Sequence, residues 1–346
     1  MKYRTLGKTG LKVSEVGMGT WQLAGFPWGW DAPDETESMR ALYRFAELGG
    51  NFIDTAWVYG RADEPGEKAG AHTSEELIGK FIKESGKKMI IASKVPPQNR
   101  QWPSRQGTPI SEVFPNEYIK EMVDNSLESL GIECIDVMQF HVWQDYFVND
   151  DGWKKTIQEI TKSGKVKHWG VSLNDYQPSN CLKTLDSGLI STVQFIFNIF
   201  HQRPTEKLLP YAKEHNIGLI VRVPLDEGSL ADKLTLESRF DDQLRSVYFS
   251  PDRLKEFIPR VNSIKSLLGS EAKSLPELAL RWILSHPEIS TVIPGMRKVK
   301  NVELNCGLSD DKKLSSELMI ELKNHAWERN FYVDMDPALA NNNYVE

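Results

Sequence analysis

Eight short apolar runs recur along this chain, at residues 14–19, 51–56, 89–95, 135–141, 167–172, 192–198, 218–224 and 291–294, and stretches of helical period separate them. Such alternation marks βα units around a parallel sheet, and eight strands is the number that closes a barrel. The predicted fold is therefore of the α/β class: a (β/α)8 TIM barrel formed by a single domain, residues 1–346. A length of 346 residues suits one closed barrel with loop insertions. With 40% hydrophobic and 26% charged residues the chain has enough apolar material for a large core.

Punctuation between the runs supports this reading. Thr73-Ser74-Glu75-Glu76 and Ser274-Leu275-Pro276-Glu277 have the capping-box form that starts a helix, and Gly131 stands where a left-handed cap would end the helix beginning near Asn116. Residues 2–13 read as an N-terminal β-hairpin around Lys8-Thr9-Gly10, placed to cover one end of the barrel. Two long connections, 96–115 and 225–251, follow strands and so belong to the C-terminal face, where barrel enzymes work. Residues 329–346 form a tail, either flexible or packed on the barrel.

Four polar residues fall at the ends of apolar runs: Asp54, Tyr59, Lys94 and His141. Each has an ordinary structural reading, as a helix cap, a solvated charge or a hydrogen-bonded core residue. Their conjunction at one barrel face favours proton delivery to an oxygen. A phenol with a reference pKa of about 10 releases its proton reluctantly, and a neighbouring ammonium is expected to lower that value. Asp54 would hold Lys94 charged, and a histidine would orient a carbonyl or share its proton. A carbonyl accepting hydride needs this arrangement.

On these residues the chain resembles the aldo-keto reductase superfamily. The likeness runs from Leu6-Gly7-Lys8-Thr9-Gly10-Leu11-Lys12-Val13-Ser14 through Gly17-Met18-Gly19-Thr20-Trp21 and Asp54-Thr55-Ala56-Trp57-Val58-Tyr59-Gly60 to residues 301–305. The resemblance implies an NADPH-dependent oxidoreductase that reduces an aldehyde, ketone or sugar, with Tyr59 as general acid, Asp54 and Lys94 as its tuning pair and His141 orienting the carbonyl. It also implies a cofactor site of Ser172, Asn174 and Gln194 at the carboxamide and Arg222 beside the nicotinamide. Pro224, Leu225, Gly228 and Leu230 would lie along the pyrophosphate, with Gly295, Arg297, Asn301 and Asn305 around the adenosine phosphate; NADH is the less favoured cofactor.

Two departures from the family pattern stand out. Ser172 is followed by Leu173 before Asn174, where the family usually has Asn directly after the serine. Arg222 replaces an aromatic residue, and either stacks on the nicotinamide or turns to a phosphate or a nearby carboxylate.

Trp21, Trp28, Trp57 and Trp143 lie near strand ends, where they would form an apolar or sugar-stacking wall for substrate or else pack beneath long loops. A formal net charge of -6 argues against nucleic acid and anionic membrane as partners. Cys134, Cys181 and Cys306 are too few and too scattered for a disulfide framework or a thiolate metal site, which fits a cytoplasmic protein acting on a small molecule. No Gly-x-Gly-x-x-Gly follows a strand, so a dinucleotide would be held on a barrel rather than a Rossmann fold. Other readings of the same residues are a lyase forming a Schiff base at Lys94, and a cofactor-binding regulatory subunit.

Overall fold

The computed structural model describes residues 1–24, 34–61 and 72–332. An antiparallel hairpin comes first, β1 (Tyr3–Thr5) paired with β2 (Lys12–Ser14). Eight strands then form one parallel sheet in sequence order: β3 (Met18–Gly19), β4 (Phe52–Asp54), β5 (Ile90–Val95), β6 (Ile135–Trp143), β7 (Val166–Leu173), β8 (Thr192–Ile196), β9 (Gly218–Arg222) and β10 (Thr291–Val292). Parallel bridges from Val16 to Val292 and from Gly19 to Gly295 close the last strand onto the first. The fold is a (β/α)8 barrel, and each of the eight apolar runs contributes one strand.

Helices around the barrel begin and end as their sequences dictate. Thr73 caps the helix Ser74–Ser85 with the full reciprocal box, while Glu76 reaches back to the Thr73 N–H. At the helix Leu275–Leu284 only half the box forms. Ser274 accepts from the Glu277 N–H, but the Glu277 carboxylate accepts instead from the Lys273 N–H. Gly131 adopts φ 62° at the end of Asn116–Leu130 and donates to the Glu128 and Leu127 carbonyls.

Side chains inside the barrel stack in layers, because residues two apart on a strand share a face. The lower layer is apolar: Phe52, Ala92, Val137 and Ile220, joined by Leu6 and Val13 of the hairpin, so that the hairpin plugs the N-terminal end. Gly7 in its turn has φ 50°, and a Cβ there would lie 2.1 Å from the Gly218 nitrogen, so no larger residue fits. Two residues further along the same strands come Asp54, Lys94, Gln139 and Arg222, so the interior turns polar toward the C-terminal face.

The long connections are less irregular than their sequences suggest. Residues 96–115 include the short helix Ile110–Val113, and 225–251 include the 3-10 segment Asp226–Ala231 and the helix Gln243–Tyr248. No helix among the described residues is long and apolar enough to cross a membrane.

Candidate active site

Asp54 ends β4, and its carboxylate is almost wholly buried at 2% exposure. One oxygen accepts from the Lys94 Nζ at 2.7 Å; the other accepts from the Gln194 amide at 2.6 Å and from the Gln139 amide at 3.3 Å. Lys94, with no exposed surface, also donates to the Thr55 carbonyl at 2.7 Å and to the Tyr59 hydroxyl at 3.2 Å. Burial works against charge on this lysine, but the Asp54 carboxylate and the Tyr59 oxygen outweigh it and raise its pKa. The ammonium is thus fixed with all three of its hydrogens directed.

For Tyr59 the outcome differs from expectation. Burial pushes its phenol above the ordinary value by more than the Lys94 ammonium draws it down, and Asp54 adds to the rise. The tyrosine therefore rests as a neutral phenol. Burial, followed by the Lys94 and Arg222 charges, holds His141 well below its usual pKa, so a neutral imidazole stands beside Tyr59 with ring centroids 6.5 Å apart.

These groups open onto a cavity of about 910 Å³ at the C-terminal face, and Asp54, Tyr59, His141 and Gln194 all reach its wall. Trp21 lies on that wall, 6.3 Å from Tyr59 by ring centroids. The far end is bounded by Pro224, Leu225, Gly228, Gly295, Arg297 and Asn301. A Cβ on Gly295 would meet the Gln22 side chain at 2.5 Å, whereas Gly228, at φ 111°, has open space where a side chain would stand. At Gly295 a side chain would displace Gln22, which also lines the cavity, and at Gly228 the positive φ is what favours glycine.

Several sequence-predicted residues lie elsewhere. Trp143 is fully buried and packs with Phe114, Phe140, Phe147 and Trp153, its indole N–H donating to Thr184 at 2.8 Å. Regular alternation would have put it on the same face as His141. An irregularity in β6 between Phe140 and Trp143, with Val142 at φ 55°, turns it outward instead. Trp57 is half-buried against the core, with the Arg61 guanidinium 4.5 Å above its ring, and is not on the wall.

Asn174, just past the end of β7, is occupied by the loop after β5. It accepts from the Ser104 N–H at 3.2 Å and donates to the Ser104 carbonyl at 3.1 Å. Leu230 is a core residue, and neither Ser172 nor Asn305 reaches the wall; the buried Ser172 hydroxyl has no hydrogen-bond partner among the described residues. Trp28 lies outside the described residues.

Arg222 does border the cavity, but turns to a carboxylate. Its Nη2 donates to Asp175 at 2.6 Å and to the Leu173 carbonyl at 3.1 Å. The sequence reading missed Gln139, which holds the second Asp54 oxygen, and Trp102, whose ring meets His141 edge-on at 4.8 Å. It also missed Glu227, which burial raises to about 7 and which accepts from the Tyr332 hydroxyl. Gln139 was within reach, since it shares parity with His141; the other two sit in loops without a period.

The profile of the Aldo/keto reductase family matches residues 15–326. Aldo-keto reductase YhdN of Bacillus subtilis is 32% identical over 309 residues, 88% of this chain and 87% of that protein. The NADH-specific methylglyoxal reductase of Escherichia coli is 26% identical over 337 residues, 92% and 98% of the two chains. Among solved structures, glycerol dehydrogenase AKR11B4 from Gluconobacter oxydans superposes with a TM-score of 0.74 at 24% identity over 94% of each chain. By the family profile over residues 15–326 and the 32% identical relative, the chain belongs to the aldo/keto reductase family and is an NAD(P)H-dependent oxidoreductase.

Proposed function

We propose that this protein reduces the carbonyl group of a small aldehyde or ketone, sugars included, to an alcohol with NADPH, using Tyr59 as the proton donor. The observation that carries the reading is the buried chain from the Asp54 carboxylate through the Lys94 ammonium to the Tyr59 hydroxyl, opening onto the cavity. NADPH, when bound, supplies the hydride. Pro224, Leu225, Gly228, Gly295, Arg297 and Asn301, which line the cavity, would hold it.

The chain's own residues handle the proton. Negative charge that develops on the carbonyl oxygen is met by the Tyr59 O–H, and the alkoxide, a far stronger base than a phenolate, takes the proton. Lys94, held by Asp54, stabilises the phenolate left behind, and in a site sheltered from water that stabilisation is larger than in solution. Neutral His141 offers a ring nitrogen beside the same oxygen without bringing a competing charge. As a Schiff-base nucleophile Lys94 is poorly suited, because its amine is protonated and fully engaged by three oxygen acceptors.

The pH profile follows from the two shifts. The acid form of Tyr59 is present below its raised pKa and lost as pH climbs through it, while His141 stays neutral until well below its ordinary pKa of about 6.5. We expect kcat/KM to be level across neutral pH and to fall only in the alkaline range. A limb near neutrality that disappears in His141→Gln would show instead that the imidazole titrates.

NADPH is proposed over NADH because Arg297 borders the cavity next to Asn301, with Lys298 and Lys300 adjoining in sequence. Arg297→Ala should weaken NADPH selectively by about 1.5–3 kcal/mol, the range for a hydrogen bond to a charged group. Fluorescence titration with both cofactors decides this, and equal losses for NADH and NADPH would remove Arg297 from the 2′-phosphate. The overall test is a screen of NADPH consumption against aldehydes, ketones and sugars.

A further inference from the structure

The segment 223–231, of which Val223, Pro224, Leu225, Glu227, Gly228 and Ala231 border the cavity, holds a strained backbone. Val223, Asp226 and Glu227 have φ of 52°, 50° and 53°, and Gly228 follows at 111°. Such conformations are sparsely populated for residues with a Cβ, most of all for a β-branched one, and persist only where the surroundings over-determine them. Here part of the restraint comes from the far end of the chain. Asp226 has no exposed surface; its carboxylate accepts from the Ser229 hydroxyl at 2.6 Å, from the Tyr248 hydroxyl at 3.0 Å and from Arg329, 103 residues away in sequence.

Arg329 is itself 7% exposed and lies over the Trp327 ring at 4.3 Å, with Phe200 and Phe257 at 5.1 and 5.2 Å. Three residues on, the Tyr332 hydroxyl donates to Glu227, and Glu227, Gly228 and Tyr332 all border the cavity. Asp226 and Arg329 do not.

We propose that Arg329, through its buried pair with Asp226, is a positioning residue for the cofactor: the segment 327–332 holds the loop 223–231 in the one conformation that can receive NADPH. This rests on the cofactor reading above. A buried carboxylate that loses its cation is strongly destabilised, so withdrawing the segment drives Asp226 toward water and releases the strained turns on either side of it. Cofactor affinity then falls in proportion to the fraction of molecules that keep the competent loop.

The experiment compares full-length wild type with Arg329→Met, Arg329→Lys and Tyr332→Phe, by NADPH fluorescence titration, thermal melting and steady-state kinetics. Arg329→Met is expected to raise the NADPH dissociation constant about tenfold or more, as a competent fraction of about one in ten requires. Arg329→Lys should recover part of the loss, and Tyr332→Phe should weaken NADPH by a few-fold. The KM for aldehyde, measured at saturating cofactor, should move far less than the KM for NADPH, a split that general loss of stability would not produce. A folded Arg329→Met protein that binds NADPH as wild type does would overturn the proposal. If that variant does not fold, unchanged affinity in Tyr332→Phe would do the same. Absence of NADPH binding by the wild-type protein would overturn the cofactor reading, and this inference with it.

Discussion

Tyr59→Phe is expected to lower kcat by about 10²- to 10⁴-fold, the usual contribution of a positioned general acid, while NADPH affinity changes little. The substitution removes one oxygen from the cavity wall and leaves the ring to keep its place against Trp21 and His141. It costs Lys94 its 3.2 Å contact, but the ammonium keeps Asp54 and the Thr55 carbonyl at 2.7 Å each. The effect should therefore fall on turnover, with the melting temperature nearly unchanged. Wild-type kcat in this variant, on a substrate whose chemical step limits the rate, would show that another group delivers the proton.

Lys94→Met is expected to do more damage, since it acts on stability and chemistry together. Asp54 would remain buried with only the Gln139 and Gln194 amides as donors, and removing one partner of a buried ion pair typically costs about 3–5 kcal/mol. Turnover should drop below that of Tyr59→Phe, because the phenolate would form with the Asp54 charge nearby and without the Lys94 cation, which acts on it more strongly than Arg222 does. The double substitution Asp54→Asn with Lys94→Met takes away both charges, and should recover much of the stability but none of the activity. Denaturant unfolding alongside kinetics separates the two effects; a Lys94→Met protein as stable as wild type would mean that the pair is not the structural element described here.

The barrel was legible because its signal is periodic: apolar runs alternate with stretches of helical period, and the runs from 14–19 to 291–294 map onto β3 to β10 in order. The meeting of Asp54, Lys94 and Tyr59 followed from the same regularity, since residues at the ends of parallel strands converge on one face. Where regularity breaks, sequence reasoning fails. Nothing in Phe140-His141-Val142-Trp143 announces the irregular strand that decides between substrate wall and buried packing for Trp143, and valine is among the residues least expected at positive φ.

The one-residue shift after Ser172 already sets Asn174 off the family's carboxamide position, but nothing local points to its partner, Ser104, in a loop 70 residues earlier. The Asp226–Arg329 pair has no local signature at all, being a tertiary contact between two aperiodic segments. For Tyr59, convergence of the strand ends predicted the pull of Lys94, but not the stronger opposing effect of burial, which depends on the packed site.

The most direct test of carbonyl reduction at this site is transfer of deuterium from NADPH carrying deuterium in both C4 positions of the nicotinamide, followed by mass spectrometry across a panel of aldehydes and ketones. The wild-type protein should place one deuterium on the former carbonyl carbon of at least one substrate, with the rate cut by about 10²-fold or more in Tyr59→Phe. Alcohol product without deuterium, or labelled product formed equally fast by Tyr59→Phe, would contradict the account.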